Sequence, residues 1–216
     1  MRARTKFLRA WEELPFLPFW AWDRLRQRAA LARHRRVAML HADAKVQIDG
    51  WIHNLSHQPE RIRIGAGSII RGELLIFPNR GRIEIGDWSY IGPGSYIWSS
   101  ESVRIGSGCL ISYQVNIHDT NSHSLDPAKR RAQFREISAT GHPAEPPDIR
   151  AEPIVVEDDV WIGFGATITK GVTIGRGAIV ASGSLIARDV APFTIVAGRP
   201  AEVIGEVTQG VDAFED

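Results

Sequence analysis

The stretch "VVEDDVWIGFGATITKGVTIGRGAIVASGSLIARDVAPFTIVAGRPAEVI" (residues 155–204) decides the fold. An aliphatic residue returns at every sixth position: Val156, Ile162, Ile168, Ile174, Val180 and Ile186. Upstream the same beat runs through Ile105, Ile111 and Ile117, through Ile85, Ile91 and Ile97, and through Ile64, Ile70 and Ile76. Glycine follows six of these fifteen residues at once, and small residues such as Ser68, Ser89, Cys109, Ala166 and Ser184 stand four places on. A period of six suits neither an amphipathic helix nor a lone alternating strand. It suits a solenoid whose coil has three short β sides, each sending one aliphatic side chain into a shared axial core. Three hexads make one coil, and stacked coils pair as parallel strands about 4.8 Å apart. The earlier coils run to 21 residues (Ile64 to Ile85) and 20 residues (Ile85 to Ile105), an excess assigned to bulged corners.

Composition narrows the class. With 216 residues and a net charge of +1 the chain is an ordinary globular one, but residues 1–45 carry +7 and the remainder −6. Cys109 is the single cysteine, so no internal disulfide is expected and a reducing compartment fits. No apolar run has the length of a membrane span, and no cleavable leader is expected. The organisation predicted is a basic, aromatic helical cap over 1–43, a β-helix over 44–216, a long polar loop at 119–153 and a turn-rich C-terminal cap at 191–216. In the N-terminal segment Phe7, Trp11 and Leu14 share one helical face before Pro15 and Pro18. A second helix is predicted near 21–40, with Trp22, Leu25, Ala29 and Ala32 on one face. This basic arm reads as an end cap, a partner-docking helix or an interfacial anchor at a membrane surface. Nucleic-acid binding is not expected, because the charge is confined to one arm and no recognition motif accompanies it.

The loop holds "IHDTNSHSLDPAKRR" (117–131), a polar, His-bearing break in the pattern. On "HSLDPAKRR" and on 155–204 the chain resembles the hexapeptide-repeat acyltransferases. Among these it is similar to the maltose, galactoside and nodulation-factor O-acetyltransferases and to acyltransferases of surface-polysaccharide gene clusters. The resemblance covers roughly residues 44–205. It implies an all-β fold, a left-handed parallel β-helix assembled as a homotrimer with active sites between subunits. It also implies acetyl-CoA as co-substrate, no required metal, and acyl transfer to a sugar hydroxyl of a cell-surface glycan or glycolipid precursor in the cytoplasm, within reach of the inner face of the membrane. N-transfer to an amino sugar and a non-catalytic binding or assembly role are the alternatives.

The resemblance makes His123 the general base. Its neutral imidazole would take the acceptor's hydroxyl proton as that oxygen attacks the thioester, a role suited to histidine's usual pKa of about 6.5. Asp119 either holds that imidazole in one tautomer or caps backbone amides at a corner; both readings stand. His142, in "TGHPAEP", is the second candidate base, and with Asn116 and His118 it is assigned to the acceptor. "SSES" (99–102) puts Ser99 and Ser100 where the sugar enzymes have an acceptor-binding aspartate. The lysine and arginines of "AKRR" read as a solvated loop face.

On the donor side the resemblance places Trp161 beside the base and aims the Phe164 N–H at the thioester oxygen, a contribution commonly of about 3 kcal/mol. Gly163, Ser182, Ala187 and Arg188 are implied CoA contacts. Lys170 and Arg188 are 18 residues apart, one coil, and are expected to form a cation ladder for CoA phosphates. Arg199 substitutes for the arginines that some relatives carry where this chain has Glu202 and Gly205. A γ-type carbonic anhydrase would need three histidines on neighbouring coils. His118 and His123 lack a third, since no histidine lies between His57 and His118.

Overall fold

The structure, a computed structural model, describes residues 28–143 and 148–208. The face predicted from Phe7, Trp11 and Leu14, the Trp22 and Leu25 positions and the last part of the predicted C-terminal cap, 209–216, lie outside the described residues. The first described residues, 28–34, are helical (α1), and the helix ends in turns by residue 37. The chain then climbs in coils. β1 (Met39–Leu40), β2 (Lys45–Val46) and β3 (Trp51–Asn54) make the first coil, and β4 (Ile62–Ile64), β5 (Ile69–Ile70) and β6 (Glu73–Ile76) the second. β7 (Ile83–Ile85), β8 (Tyr90–Ile91) and β9 (Tyr96–Ser99) follow, then β10 (Val103–Ile105), β11 (Leu110–Ile111) and β12 (Asn116–His118). After the inserted loop come β13 (Ile154–Val156), β14 (Trp161–Ile162) and β15 (Thr167–Thr169), then β16 (Thr173–Ile174), β17 (Ile179–Val180) and β18 (Leu185–Ile186). The strands pairing begins at Met39, opposite Arg63, ahead of the boundary at residue 44.

Each coil gives one strand to each of three parallel sheets, ordered β1-β4-β7-β10-β13-β16, β2-β5-β8-β11-β14-β17 and β3-β6-β9-β12-β15-β18. This is the left-handed parallel β-helix. The hexad residues stack in register, as in Ile70, Ile91, Ile111, Ile162 and Val180 down the second sheet. Nearly all are fully buried. Each buried isoleucine contributes roughly 2 kcal/mol of hydrophobic transfer. One position departs from the predicted beat. Ile97 pairs with Leu74, and Ile76 falls opposite Ser99, because β6 is a four-residue side that turns both Leu74 and Ile76 inward.

The corners hold more than small volume. Ser68 Oγ donates to Gly86 O at 2.7 Å while accepting from Ser89 N at 2.9 Å. Ser89 Oγ repeats this one coil higher, with Gly106 O at 2.8 Å and Cys109 N at 3.0 Å. Each hydroxyl therefore ties its coil to the next, satisfying corner amides that the short strands leave unpaired. Cys109, the next member of this buried column, sends its thiol to Glu157 O at 3.1 Å, and burial pushes that thiol's pKa up. Beside this column runs one of left-handed residues that alternates glycine with a larger side chain: Gly67, Trp88, Gly108, Asp159, Gly177 and Phe193. The larger residue folds over the glycine below. A Cβ on Gly67 would meet the Trp88 ring at 2.5 Å, and one on Gly177 the Phe193 ring at 2.5 Å.

The ends close differently. At the first coil, buried His34 of α1 sits above the core, and Asn54 Nδ2 donates to Val37 O at 2.8 Å and to Gln58 O at 2.9 Å. At the last coil the predicted turn-rich cap is a β-hairpin: β19 (Thr194–Gly198) extends the second sheet and β20 (Ala201–Glu206) returns antiparallel to it. The alternating "TIVAG" and "AEVIG" flank a Gly-Arg-Pro turn, a hairpin signal that the turn residues overshadow.

Candidate active site

The inserted loop leaves the end of β12, and its two ends are zipped together. Thr120 bridges Ala151, Asn121 N donates to Arg150 O at 3.2 Å, and Arg150 N donates to Asn121 Oδ1 at 2.8 Å. The loop is not wholly irregular. Residues Pro127–Thr140 form a 14-residue helix, α2, so "AKRR" is its first turn. Asp126 caps it, accepting from Ala128 N at 2.7 Å and Lys129 N at 3.3 Å, with Pro127 in the opening position. Asp followed by Pro is a helix-start signal that the sequence reading passed over. Arg130 Nη1 donates to Ser124 O at 2.8 Å, and Ser124 Oγ donates to Asp148 at 2.7 Å. That hydroxyl, helped by Lys129, holds the Asp148 carboxyl below its ordinary pKa.

Asp119 is fully buried at the corner where the loop starts. Its carboxylate accepts from Ser99 Oγ at 2.6 Å, Ser100 N at 2.7 Å and Glu101 N at 2.9 Å. Burial pushes its pKa up, against the pull of those three donors. Of the two roles left open by the sequence, Asp119 therefore has the corner cap. Its oxygens are turned to the preceding coil, and the imidazole of His123 meets Gln133 instead, Nδ1 to Oε1 at 3.2 Å. Ser99 is likewise engaged beneath the surface; Ser100 reaches the site.

His123 lines a cavity of about 110 Å³ together with Phe77, Trp98, Ser100, Gln133 and His142. His142 meets Phe77 edge-on at 5.1 Å. His118 stacks flat on Trp98 at 4.8 Å between centroids; burial lowers its pKa, and its Nε2 is buried without a partner among the described residues. Asn116 turns its amide back to Gln114 O at 3.3 Å and does not line the cavity. Trp98, Phe77 and Gln133 were not singled out from the sequence. Trp98 occupies an outward strand position that alternation marks, whereas nothing local marks Phe77.

The implied donor residues sit elsewhere on the same chain. Trp161 stands half-exposed on the outer face of β14, and Phe164 stacks on Tyr113 at 5.1 Å at the following corner. Neither lines the His123 cavity. Gly163 is dictated by the next coil, since a Cβ there would meet Ser182 N at 2.6 Å. Ser182, Ala187 and Arg188 are exposed. Thr167 and Ile168 pair with Leu185 and Ile186, 18 residues on, but the offset has shortened to 16 where Ile174 bridges Val190, and Lys170 and Arg188 lie between these two registers. The cation ladder is partly answered, however, because Lys170 Nζ contacts the Glu152 carboxylate. Arg199 Nη1 donates to Gly183 O at 3.2 Å. Among the described residues no group of three His, Cys, Asp or Glu side chains is placed to hold a metal ion. No described helix is long and apolar enough to cross a membrane.

Comparison with known proteins agrees with this architecture. Residues 153–188 match the family model "Bacterial transferase hexapeptide (six repeats)". The chain is 27% identical over 128 residues to galactoside O-acetyltransferase of Escherichia coli K12, covering 57% of this chain and 63% of the relative. It is 48% identical over 69 residues to 2,3,4,5-tetrahydropyridine-2,6-dicarboxylate N-acetyltransferase of Ligilactobacillus salivarius, covering 32% of this chain and 29% of that one. The chain thus spans less than two thirds of the length of these curated relatives. Among solved structures, AntD, an N-acyltransferase from Bacillus cereus crystallised with coenzyme A and a dTDP-amino sugar, superposes with TM-score 0.64 at 16% identity, over 84% of this chain and 90% of that one. A hexapeptide-repeat containing acetyltransferase from Vibrio cholerae, bound to acetyl-CoA, gives TM-score 0.54 at 25% identity, over 84% and 78%. Residues 153–188 therefore carry the bacterial transferase hexapeptide repeat, and the chain is a hexapeptide-repeat left-handed β-helix whose relatives and structural neighbours are acyltransferases.

Proposed function

We propose that the chain is an acyl-CoA-dependent acyltransferase, with acetyl-CoA as donor and a sugar hydroxyl of a cell-surface glycan or its precursor as acceptor. The observation that carries this is the His123 cavity itself. Phe77 and Trp98 offer aromatic faces to the C–H face of a pyranose, while Ser100 and Ser122 offer hydroxyl contacts. His123 takes the hydroxyl proton as the oxygen adds to the thioester carbonyl. The tetrahedral adduct collapses, the C–S bond breaks, and the imidazolium returns the proton to the departing CoA thiolate. The Phe164 N–H, which meets no acceptor among the described residues, is assigned to the oxyanion. Donor residues belong to this reading too: Trp161, Gly163, Ser182, Ala187, Arg188, Arg199, and Lys170 once it turns from Glu152.

Because the donor residues and the His123 cavity lie apart on one chain, the complete site is assigned to the junction of two copies in a homotrimer. A column of apolar residues supports this, running in register along the outer face of the second sheet: Ile69, Tyr90, Leu110, Trp161, Ile179 and Ile195. Leu110 is 54% exposed and Trp161 49%, an unusual row for a solvated surface.

The test is acetyl transfer from labelled acetyl-CoA to glycan precursors. His123→Ala should lower kcat by about 10²–10⁴-fold, the usual contribution of a general base, and His142→Ala far less. An inactive His142→Ala beside an active His123→Ala would overturn the assignment of the base.

A further inference from the structure

We infer that Gln133 is a positioning residue that fixes the tautomer of His123, so that Nε2 alone faces the reaction as a proton acceptor. The inference rests on the reading of His123 as the base. It starts from an oddity of α2. That helix has no apolar stripe, Phe134 on it is 67% exposed, and its one buried residue is a glutamine. A polar side chain that is 4% exposed must find its hydrogen bonds inside, and Gln133 has two. Its Nε2 lies 3.3 Å from Ser122 O, and its Oε1 lies 3.2 Å from His123 Nδ1.

The chemistry of the partners settles the direction of both bonds. A backbone carbonyl only accepts, so the end of the amide facing Ser122 O is the NH₂ end. Flipping the amide would oppose two oxygens. The end facing His123 is then the carbonyl oxygen, which also only accepts, so Nδ1 carries a hydrogen. A neutral imidazole with its hydrogen on Nδ1 has its lone pair on Nε2. The bond also survives the catalytic cycle, since Nδ1 is protonated in imidazole and imidazolium alike. A neutral amide orients the ring without adding the charge by which a carboxylate would hold the proton.

The backbone is shaped for this contact. Ser122 adopts a left-handed φ of 59° although it is not glycine, a conformation that persists only where surroundings enforce it. Ser122 N is held by Thr120 Oγ1 at 3.1 Å, and Asn121 Nδ2 donates to His123 O at 2.9 Å. The titratable group across the cavity is His142, which follows the Gly141 cap of α2, so one helix sets both histidines.

The experiment is ¹⁵N NMR of the imidazole in the full-length protein, joined to two variants. In the neutral wild type, Nδ1 should give the protonated, pyrrole-type signal and Nε2 the pyridine-type signal; the reverse pattern overturns the inference. Gln133→Leu and Gln133→Glu both lose the bond to Ser122 O, but only Glu keeps an acceptor for Nδ1. Gln133→Leu should therefore show mixed tautomers and lose about tenfold or more in kcat, a part of the general-base contribution, with the KM for acetyl-CoA unchanged. Gln133→Glu should keep the tautomer, recover most of kcat, and move the acid limb of the kcat/KM profile up by about one pH unit, since an adjacent carboxylate favours imidazolium. Two variants equally impaired, with the same pH profile, would mean that Gln133 merely anchors α2. Full activity in His123→Ala alongside the Nδ1–H signal would instead refute the base assignment and leave the tautomer standing.

Discussion

Asp119 separates two kinds of importance, and its removal measures which one holds. Asp119→Ala deletes a buried acceptor and leaves three donors: the Ser99 hydroxyl, at 2.6 Å in the intact protein, and the N–H groups of Ser100 and Glu101 at 2.7 and 2.9 Å. A buried donor left unsatisfied costs about 1–3 kcal/mol. The hydroxyl can rotate, so it belongs at the low end, while the two amides are fixed by the corner. The sum is about 3–4 kcal/mol, less than three full penalties because the variant no longer buries a carboxylate. For a chain of this size each kcal/mol shifts Tm by about 2–4 °C, so Tm should fall by roughly 10 °C. Steady-state kinetics well below that melt should find kcat within a few fold of wild type, because no oxygen of Asp119 reaches His123. Asp119→Asn, which keeps one acceptor oxygen, should fall between. The reasoning is refuted if Asp119→Ala melts normally while kcat drops by about 10⁴-fold, the loss that follows when a carboxylate holding a catalytic imidazole is removed.

Two further expectations concern the ends and faces of the coil. Burial, reinforced by the Arg33 charge, lowers the His34 pKa to about 4. The unfolded chain protonates first, near 6.5, so this end loses stability as pH falls from about 6.5 to about 4 and is unaffected above that window. Exchange of the Val37 and Ala38 amides, both bonded to His34 O, should accelerate over that range beyond the intrinsic rate, and constant protection would refute it. Sedimentation should find a homotrimer that Leu110→Glu converts to an inactive monomer; a fully active wild-type monomer would refute the shared site.

The fold was legible because its signal is carried by many independent residues. A β-helix core needs an aliphatic side chain at each inward position, and one displaced member, Ile76 for Leu74, does not obscure the rest. The first coil was harder to see, since Leu40, Val46 and Ile52 are spaced correctly but lack the following glycines. The loop was legible only as an interruption. Its helix is built on Asp126 and Pro127 at one end, while its interior anchor is a single glutamine that no periodicity marks. For Asp119 the sequence offered two roles with the same residue type, and only the direction of its oxygens separates them. The contact of Gln133 with His123 joins residues ten apart across a turn and a helix, so it belongs to tertiary geometry and leaves no trace in spacing.

The corner where Trp88 lies over Gly67, Asp159 over Gly108 and Phe193 over Gly177 sets a limit on how such a solenoid can grow. The core repeats with every coil, but this edge repeats with every second coil. Copying or excising a single coil would leave the core in phase and bring two bulky residues, or two bare glycines, face to face at the edge. The module that can be duplicated without repair is a pair of coils. Lengthening or shortening this protein by design should therefore proceed in even steps, and a one-coil graft needs a compensating glycine at the seam.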